Sequence, residues 1–593
     1  MEPALPATRR RRPRRGSTER PIDTRLVRSV ALLLLVPIVI TAATVVRSGP
    51  LPAPTLPAGF DGATALALTR ELARDYPSRV PGTPEGARAA RWFEQRLSLY
   101  GLEVTRDAWS DHVPGLGRTT LLNLQVVVQG TLEEAIVVMA HRDTKVGSAG
   151  ANDNASGTAA LIELARAYAT GGTGSASQRR PLHTLVFLST DGGNYGALGS
   201  ARFARSPRWR ARVSAGLSLD GVGGRSRPRI ELSGLGAHSP PVTLVRTLER
   251  RAATTLERPL RQPGVLTQLV ALGLPFGYGE QAPLLGAGIP AIRLTTSPDA
   301  GVAPGADETE GLDAARLARL GVAAEATLGS LDGAVELPET TAAALFLGNR
   351  AIRGWALALL LATATLPFVA AALDLLGRAR RRRLPLRGAW MALRRRAGFW
   401  LFGAAILFAL AVGGALPVDG EPPLPDEPPL DAWPLGAVLV AAAVGLLTWL
   451  RERALLLPRA RATEDEELAG FCVGFVALSG VAVGTVVVNP YGLVFLLPSL
   501  YAWLWLPHLR SSRGGPADLL FGAGLAGPVL ALVVLHEQLD LGTRAPLYLL
   551  GLLTSGVISW PTALVVVGWA ACTAQIGALV AGRYAPLARS SGR

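Results

Sequence analysis

The chain has 593 residues, of which 49% are hydrophobic and only 18% charged, with net charge +15 and mean hydropathy +0.29; this excludes a soluble globular protein throughout, and a disordered one. Lys145 is the single lysine among 60 basic residues, so the basicity reads as the GC-rich coding bias of a bacterial genome, and the arginine runs lack the aromatic interleaving of a nucleic-acid site. Cys472 and Cys572 both sit in apolar stretches, which excludes a disulfide framework and a thiolate-built zinc site.

Residues 1–29 are basic, with Arg9 to Arg12, Arg14 and Arg15 ahead of an uncharged apolar run, Val30 to Val46. No small-x-small cleavage pattern follows, so the run is expected to be a transmembrane signal anchor with a cytoplasmic N-terminus. Residues 48–350 have mixed composition. Pro50, Pro52, Pro54 and Pro57 make a stiff spacer, and a helix is expected from Asp61 to Tyr76. Thr83 as N-cap with Pro84 at the first helical position opens another. Short apolar runs then read as buried strands: Leu122 to Val128, Ala135 to Met139, Thr184 to Leu188, Gly216 to Leu219 and Ala291 to Leu294. Helical stretches such as Gly157 to Ala169 separate most of them. The expected fold is an α/β domain with a mixed, largely parallel sheet flanked by helices, its polar residues gathered at strand ends.

Residues 355–580 are nearly continuous membrane signal, expected to form an all-α domain of about seven further spans. The runs are Trp355 to Leu376, Phe399 to Leu416, Leu435 to Leu450, Leu468 to Val488, Tyr491 to Leu506, Leu519 to Leu535 and one near Pro561 to Val580. Leu547 to Trp560 reads either as an additional span or as a half-helix. Arg378 to Arg396 form a basic loop, expected inside; Asp419, Glu421, Asp426, Glu427 and Asp431 form an acidic one, expected outside. Arg510 and Arg513 mark another inner loop, and the tail, residues 581–593 with Arg583, Arg589 and Arg593, is expected in the cytoplasm. Both termini are then cytoplasmic and residues 48–350 extracytoplasmic, in a multi-pass protein of the bacterial plasma membrane. The cytoplasmic arginine loops are expected to meet anionic lipids.

The chemistry-bearing residues lie just past strand ends: Ala140-His141-Arg142-Asp143, then Gly150-Ala151-Asn152-Asp153-Asn154-Ala155-Ser156-Gly157 at a helix start, then Leu219-Asp220-Gly221. His and Asp at the mouths of adjacent strands can converge on one Zn²⁺, with a second carboxylate behind the His to fix its tautomer. His112, His183 and His238 have no motif partners and read as structural, and His536-Glu537 lacks the second histidine of a zincin helix.

From about Arg79 to Leu320 the sequence resembles the di-zinc aminopeptidase family, metallopeptidase family M twenty-eight, through AHRD at Ala140, GANDNASG at Gly150, GALGS at Gly196, LDGVG at Leu219 and PLLGAGIP at Pro283. Its vacuolar membrane relatives are similar in layout, with one span, the peptidase domain and a multi-span tail. The resemblance implies that His141, Asp153 and Asp220 bind a first zinc, that Asp153 bridges to a second, and that Asp143 orients His141. It also implies two glutamates ahead of Gly196, a general base and a ligand of the second zinc, where this chain has Gly193 and Asn194. The family's last ligand, a histidine, falls at Ala303 in the register of Asp307.

Every side chain expected around the first zinc is thus present, while the base and both private ligands of the second are gone. Hydrolysis needs a proton acceptor for the attacking water, and losing it costs about 10²- to 10⁴-fold. The expectation is a membrane-anchored, peptidase-like domain kept for scaffolding or for binding peptide or protein N-termini, with weak or no hydrolysis, and holding one zinc ion if it holds any. Two alternatives stand: an active metallo-aminopeptidase with one metal or a displaced base (Asp191, Glu280, Glu308 or Glu310), and a transporter or assembly factor with a receptor ectodomain. Gly193→Glu alone is expected to help little, because Ala303 leaves the second metal short of a histidine, whereas Gly193→Glu, Asn194→Glu and Ala303→His together have a chance of reviving turnover.

Overall fold

A computed structural model describes residues 21–169, 180–297, 304–337, 341–416, 432–458, 462–509 and 515–584. The arginines at 9 to 15, Ala303, the acidic loop from Asp419 to Asp431, Arg510, Arg513, Arg589 and Arg593 lie outside the described residues.

Seven strands form one sheet: β1 Val104–Val113, β2 Gly117–Val128, β3 Ala135–His141, β4 Thr184–Thr190, β5 Val213–Asp220, β6 Arg229–Glu231 and β7 Ala291–Thr295, in the order β1-β2-β4-β3-β5-β7-β6. The four central strands β4, β3, β5 and β7 run parallel, and β2 and β6 flank them antiparallel. Parallel strands buried on both faces read as unbroken apolar runs, and every residue of β3 is buried. Ile136, Val138 and Ala140 enter one core, under helices that include Gly62–Asp75, Pro84–Ser98, Gly157–Ala167 and Ala314–Asp332. Ala135, Val137 and Met139 enter the other, with Leu284, Leu285 and Phe203.

The helix starts follow the expected chemistry. The Asp61 carboxylate accepts from Ala63 N–H, and Thr83 Oγ1 accepts from Gly86 N–H at 3.1 Å with Pro84 next in line, each satisfying an amide that lacks a helical partner. The expected strands are all present. Two further strands carried no apolar run: β1 is a solvent-facing edge with alternating burial, and β6 is three residues long.

Beyond a hairpin of β8 Ala344–Leu347 and β9 Arg350–Arg353, the chain is helical. Among the described residues, five helices are long and apolar enough to cross a membrane: Thr24–Ala43, Gly354–Arg381, Leu386–Val412, Glu464–Val488 and Trp560–Val580. A 25-residue helix, Ala432–Leu456, also lies in this half. The run expected at Leu519 to Leu535 is a pair of helices, Pro516–Gly524 and Ala526–Leu539, bent by 53°. For Tyr491 to Leu506 the structure has an 11-residue helix, Leu493–Trp503, about 16 Å long at 1.5 Å per residue. The ambiguous stretch after Leu547 holds a 10-residue helix, Ala545–Thr554.

The N-terminal apolar helix returns to the second half, pairing Val46 with Ala351 on β9. The α/β domain also rests on the helical half through Val265–Gly273, where Asn489 Nδ2 donates to Leu272 O at 2.9 Å and Gly273 O at 3.2 Å.

Candidate metal centre

Register places the candidate ligands together. His141 ends β3 opposite Thr190 on β4, and Asp220 ends β5 opposite Thr295 on β7, so both project at the carboxyl edge of the parallel strands, where such sheets build their sites. Asp153 comes from the turn Ala151–Ser156 before helix Gly157–Ala167.

That turn is tied to its neighbours on all sides. Asn154 Nδ2 donates to Leu219 O at 2.9 Å, while its Oδ1 accepts from Gly157 N–H and Gly221 N–H. Asn152 Oδ1 accepts from Gly223 N–H at 3.0 Å. A Cβ on Gly157 would lie 2.3 Å from Leu219 O, so only glycine lets the helix approach β5 this closely. Gly150, at φ +57°, would carry a Cβ 2.3 Å from Thr144 Cγ2, and a side chain there is strained for both reasons. The buried Arg79 donates to the carbonyls of Tyr76, Arg142, Ala149 and Gly150, joining the His141 and Asp153 loops. Burial lowers its pKa to about 10, and it stays charged. The Asp307 carboxylate accepts from Asn152 N–H at 2.7 Å and Asp153 N–H at 2.9 Å. The residue that sets the register of Ala303 is itself a brace for Asp153.

The three ligand atoms lie within 4.8 Å of one another. His141 Nε2 is 3.0 Å from Asp153 Oδ1 and 3.7 Å from Asp220 Oδ1. Both of those oxygens are buried and accept no hydrogen bond among the described residues, which is costly for a carboxylate unless a cation satisfies it. One imidazole nitrogen and two carboxylate oxygens are ligands zinc accepts, and the residues fit it. Burial would lower the His141 pKa, but the Asp143 charge and the contacts with Asp143, Asp153 and Asp220 outweigh it and hold it well above the ordinary value. A cation among these atoms meets the same demand as that second proton does.

Asp143 lies behind His141, as expected, but its roles are divided. His141 Nδ1 faces the Asp143 main-chain carbonyl at 3.2 Å and the carboxylate at 3.5 Å. The carboxylate instead accepts from Gly193 N–H at 2.8 Å and Asn194 N–H at 2.9 Å. Burial opposes ionisation there, yet the His141 charge and these amides keep Asp143 below its ordinary pKa.

Gly193 touches the imidazole: a Cβ on it would lie 2.2 Å from His141 Cβ and 2.3 Å from Cγ. The Asn194 side chain donates to Asp143 O at 3.1 Å. Neither position offers an acceptor to the centre. This close approach weighs against the triple replacement that includes Gly193→Glu, since a side chain at 193 presses on the first ligand.

The displaced-base candidates are occupied or exposed. Asp191 accepts from Leu122 N–H and Gly192 N–H, and burial raises its pKa to about 6. Glu280 is buried and accepts from the hydroxyls of Thr190 and Ser218, and burial raises its pKa to about 7. Glu308 and Glu310 are exposed. His183 faces Asp332 and His238 faces Thr341, and each serves the scaffold.

Sequence reasoning missed Arg293 and Glu231. Arg293 Nη2 meets Asp220 Oδ2 at 2.6 Å, and its Nη1 meets Glu231 Oε2 at 2.6 Å. Burial favours the neutral guanidinium, but the Asp220 and Glu231 charges raise the Arg293 pKa above its ordinary value. The signal was available, because an arginine inside the buried strand Ala291–Thr295 needs a carboxylate partner.

Residues 123–298 match the family model described as Peptidase family M28. This stretch of the α/β domain is thus similar to M28 peptidases, a likeness that implies zinc. Over 98 residues the chain is 36% identical to a probable zinc metalloprotease of Pyricularia oryzae, a match covering 15% of this chain and 17% of that protein; the chain therefore spans less than a fifth of the curated relative it matches. Among solved structures it is similar to an aminopeptidase from Aneurinibacillus sp. strain AM-1 (15% identity, 47% of this chain, 96% of that one, TM-score 0.38). It is also similar to the glutaminyl cyclase of Porphyromonas gingivalis (19% identity, 45% and 98%, TM-score 0.38).

Proposed function

We propose that residues 48–350 are an extracytoplasmic peptidase-like domain, anchored by membrane helices on both sides, that holds one zinc ion through His141, Asp153 and Asp220 and binds peptide N-termini with little or no hydrolysis. The observation that carries this reading is the contact between Gly193 and His141, together with the Asn194 amide turned onto Asp143 O. These two positions supply neither a proton acceptor nor a second set of ligands. Zinc, when bound, supplies Lewis acidity at the mouth of β3 and β5. The chain itself holds the His141 ring through Asp143 O, fixes the Asp153 loop through Asp307 and Arg79, and turns Asp220 Oδ1 inward by engaging Oδ2 with Arg293.

A second reading, an enzyme with a displaced base, is favoured by Glu280, whose pKa near 7 suits proton transfer at neutral pH. Metal analysis of the purified full chain, paired with aminoacyl-reporter assays, separates the two. About one zinc per chain, lost in His141→Ala, with turnover at background, is the expected result. Two ions per chain, or strong chelator-sensitive turnover abolished by Glu280→Gln, would replace it with the enzyme.

A further inference from the structure

A cavity of about 390 Å³ lies at the seam between the two halves of the chain. Its floor is polar and belongs to the α/β domain: Arg229, Glu231, His238, Arg261 and Arg293. Its walls are Val270, Leu274 and Phe276, and its far side is Leu535 and Leu539 of helix Ala526–Leu539. The peptidase-like domain alone would leave that side open, so the site exists only where the helical half covers it.

Several contacts fix the level at which the cavity opens. Helix Val265–Gly273 sits on the turn after Glu464–Val488, with a Gly273 Cβ position 2.5 Å from the Phe495 ring. A Cβ on Gly354 would lie 2.5 Å from the Tyr491 hydroxyl, so helix Gly354–Arg381 starts at the same level. Gly484 faces Val565 while Gly470 faces Leu579, so the last helix runs antiparallel to Glu464–Val488 and begins there too. Trp355 and Trp560 at these helix starts are 52% and 48% exposed, as the aromatic belt of a membrane interface requires. Val265 and Leu266, in sequence between the cavity-lining Gly264 and Thr267, are also exposed. An apolar helix at this depth lies among lipid headgroups.

We propose that this cavity binds the phosphate headgroup of an outer-leaflet phospholipid. The inference rests on the membrane orientation proposed above. Arg261 is exposed and makes no side-chain hydrogen bond or ion pair among the described residues, whereas Arg229 and Arg293 are engaged by Glu231. Guanidinium is the side chain best suited to phosphate. Glu537 at the rim is exposed to water and leaves the floor positive at Arg261. The volume suits a headgroup and its glycerol but not two acyl chains, which extend instead over Val265 and Leu266. The bound headgroup borders Arg293, one ion pair away from Asp220, placing the lipid beside the metal centre.

The test uses the full chain, delipidated in detergent and titrated with phosphatidylglycerol under native mass spectrometry. Wild type should hold one phosphatidylglycerol, and Arg261→Glu should weaken it at least about fivefold, since an arginine near an anionic lipid contributes about that much. Thr267→Trp, which fills the cavity from helix Val265–Gly273, should do the same, and diacylglycerol without phosphate should not be held. Zinc content unchanged in both variants keeps this result separate from the fate of the metal reading. Equal lipid retention by wild type and both variants would overturn the proposal, and so would displacement of the lipid by millimolar inorganic phosphate, which would assign the floor to a soluble anion. Release of the chain by alkaline carbonate would instead defeat the membrane orientation itself.

Discussion

Arg293 Nη2 and Asp220 Oδ2 meet at 2.6 Å across the neighbouring strands β7 and β5. The pair takes one carboxylate oxygen out of play, and the other, Oδ1, faces His141 Nε2. Partners of this sort orient a ligand, and losing one costs 10- to 100-fold in metal affinity. Arg293→Met should weaken zinc binding by about that factor, read by chelator competition on the full chain, and Arg293→Lys should recover part of it. Wild-type affinity in a folded Arg293→Met chain would show that the ion pair serves only the scaffold.

Gly193→Glu should not revive hydrolysis. Its Cβ overlaps the His141 ring carbons, and overpacking of this kind costs about 1–3 kcal/mol or more. We expect a lower melting temperature and a loss of bound zinc, both measurable without substrate. Gain of aminoacyl-reporter turnover in this variant would contradict the packing argument.

Glu280 gives a pH signature. Burial is the largest cause of its shift; the His141 charge and the Thr190 hydroxyl pull the pKa down, the Asp220 and Asp143 charges push it up, and it settles at about 7, against 4.5 ordinarily. A carboxyl raised in the folded state contributes stability that is present below its ordinary pKa and lost as pH rises through 7. Glu280→Gln cannot ionise and should gain on wild type between pH 5 and pH 8, by on the order of 2 kcal/mol. Parallel stability profiles for the two chains would mean that Glu280 is not held in this environment.

Orientation can be read directly. Reporter fusions at Gly388, inside the arginine-rich segment, and at Gly420, in the acidic one, should report opposite sides of the membrane. Matching signals would require a different arrangement of spans.

Asn489 holds two carbonyls of helix Val265–Gly273. Asn489→Ala should loosen the seam by about 1 kcal/mol, as loss of side-chain hydrogen bonds commonly does, and raise amide exchange over residues 265–279 while leaving β3 protected. Unchanged exchange there would show that apolar packing alone holds the halves together.

Local chemistry was enough for much of this protein. The helix starts at Asp61 and Thr83 and the buried central strands are legible because capping and two-sided burial leave their mark on adjacent residues. The grouping of His141, Asp153 and Asp220 was readable only through motifs, since nothing in their separation along the chain says that three loops converge. Tertiary structure decided the rest. Arg293 reaches Asp220 because β5 and β7 are neighbours, although more than 70 residues separate the two in sequence. Gly193 matters because of what its missing Cβ leaves room for, which composition cannot express. The short helix at Leu493–Trp503 arises where the apolar signal alone suggested a longer run, and the one at Ala545–Thr554 where it left a span and a half-helix both open. Hydropathy records the wish to avoid water, whereas the length and bend of each helix depend on the neighbours it packs against.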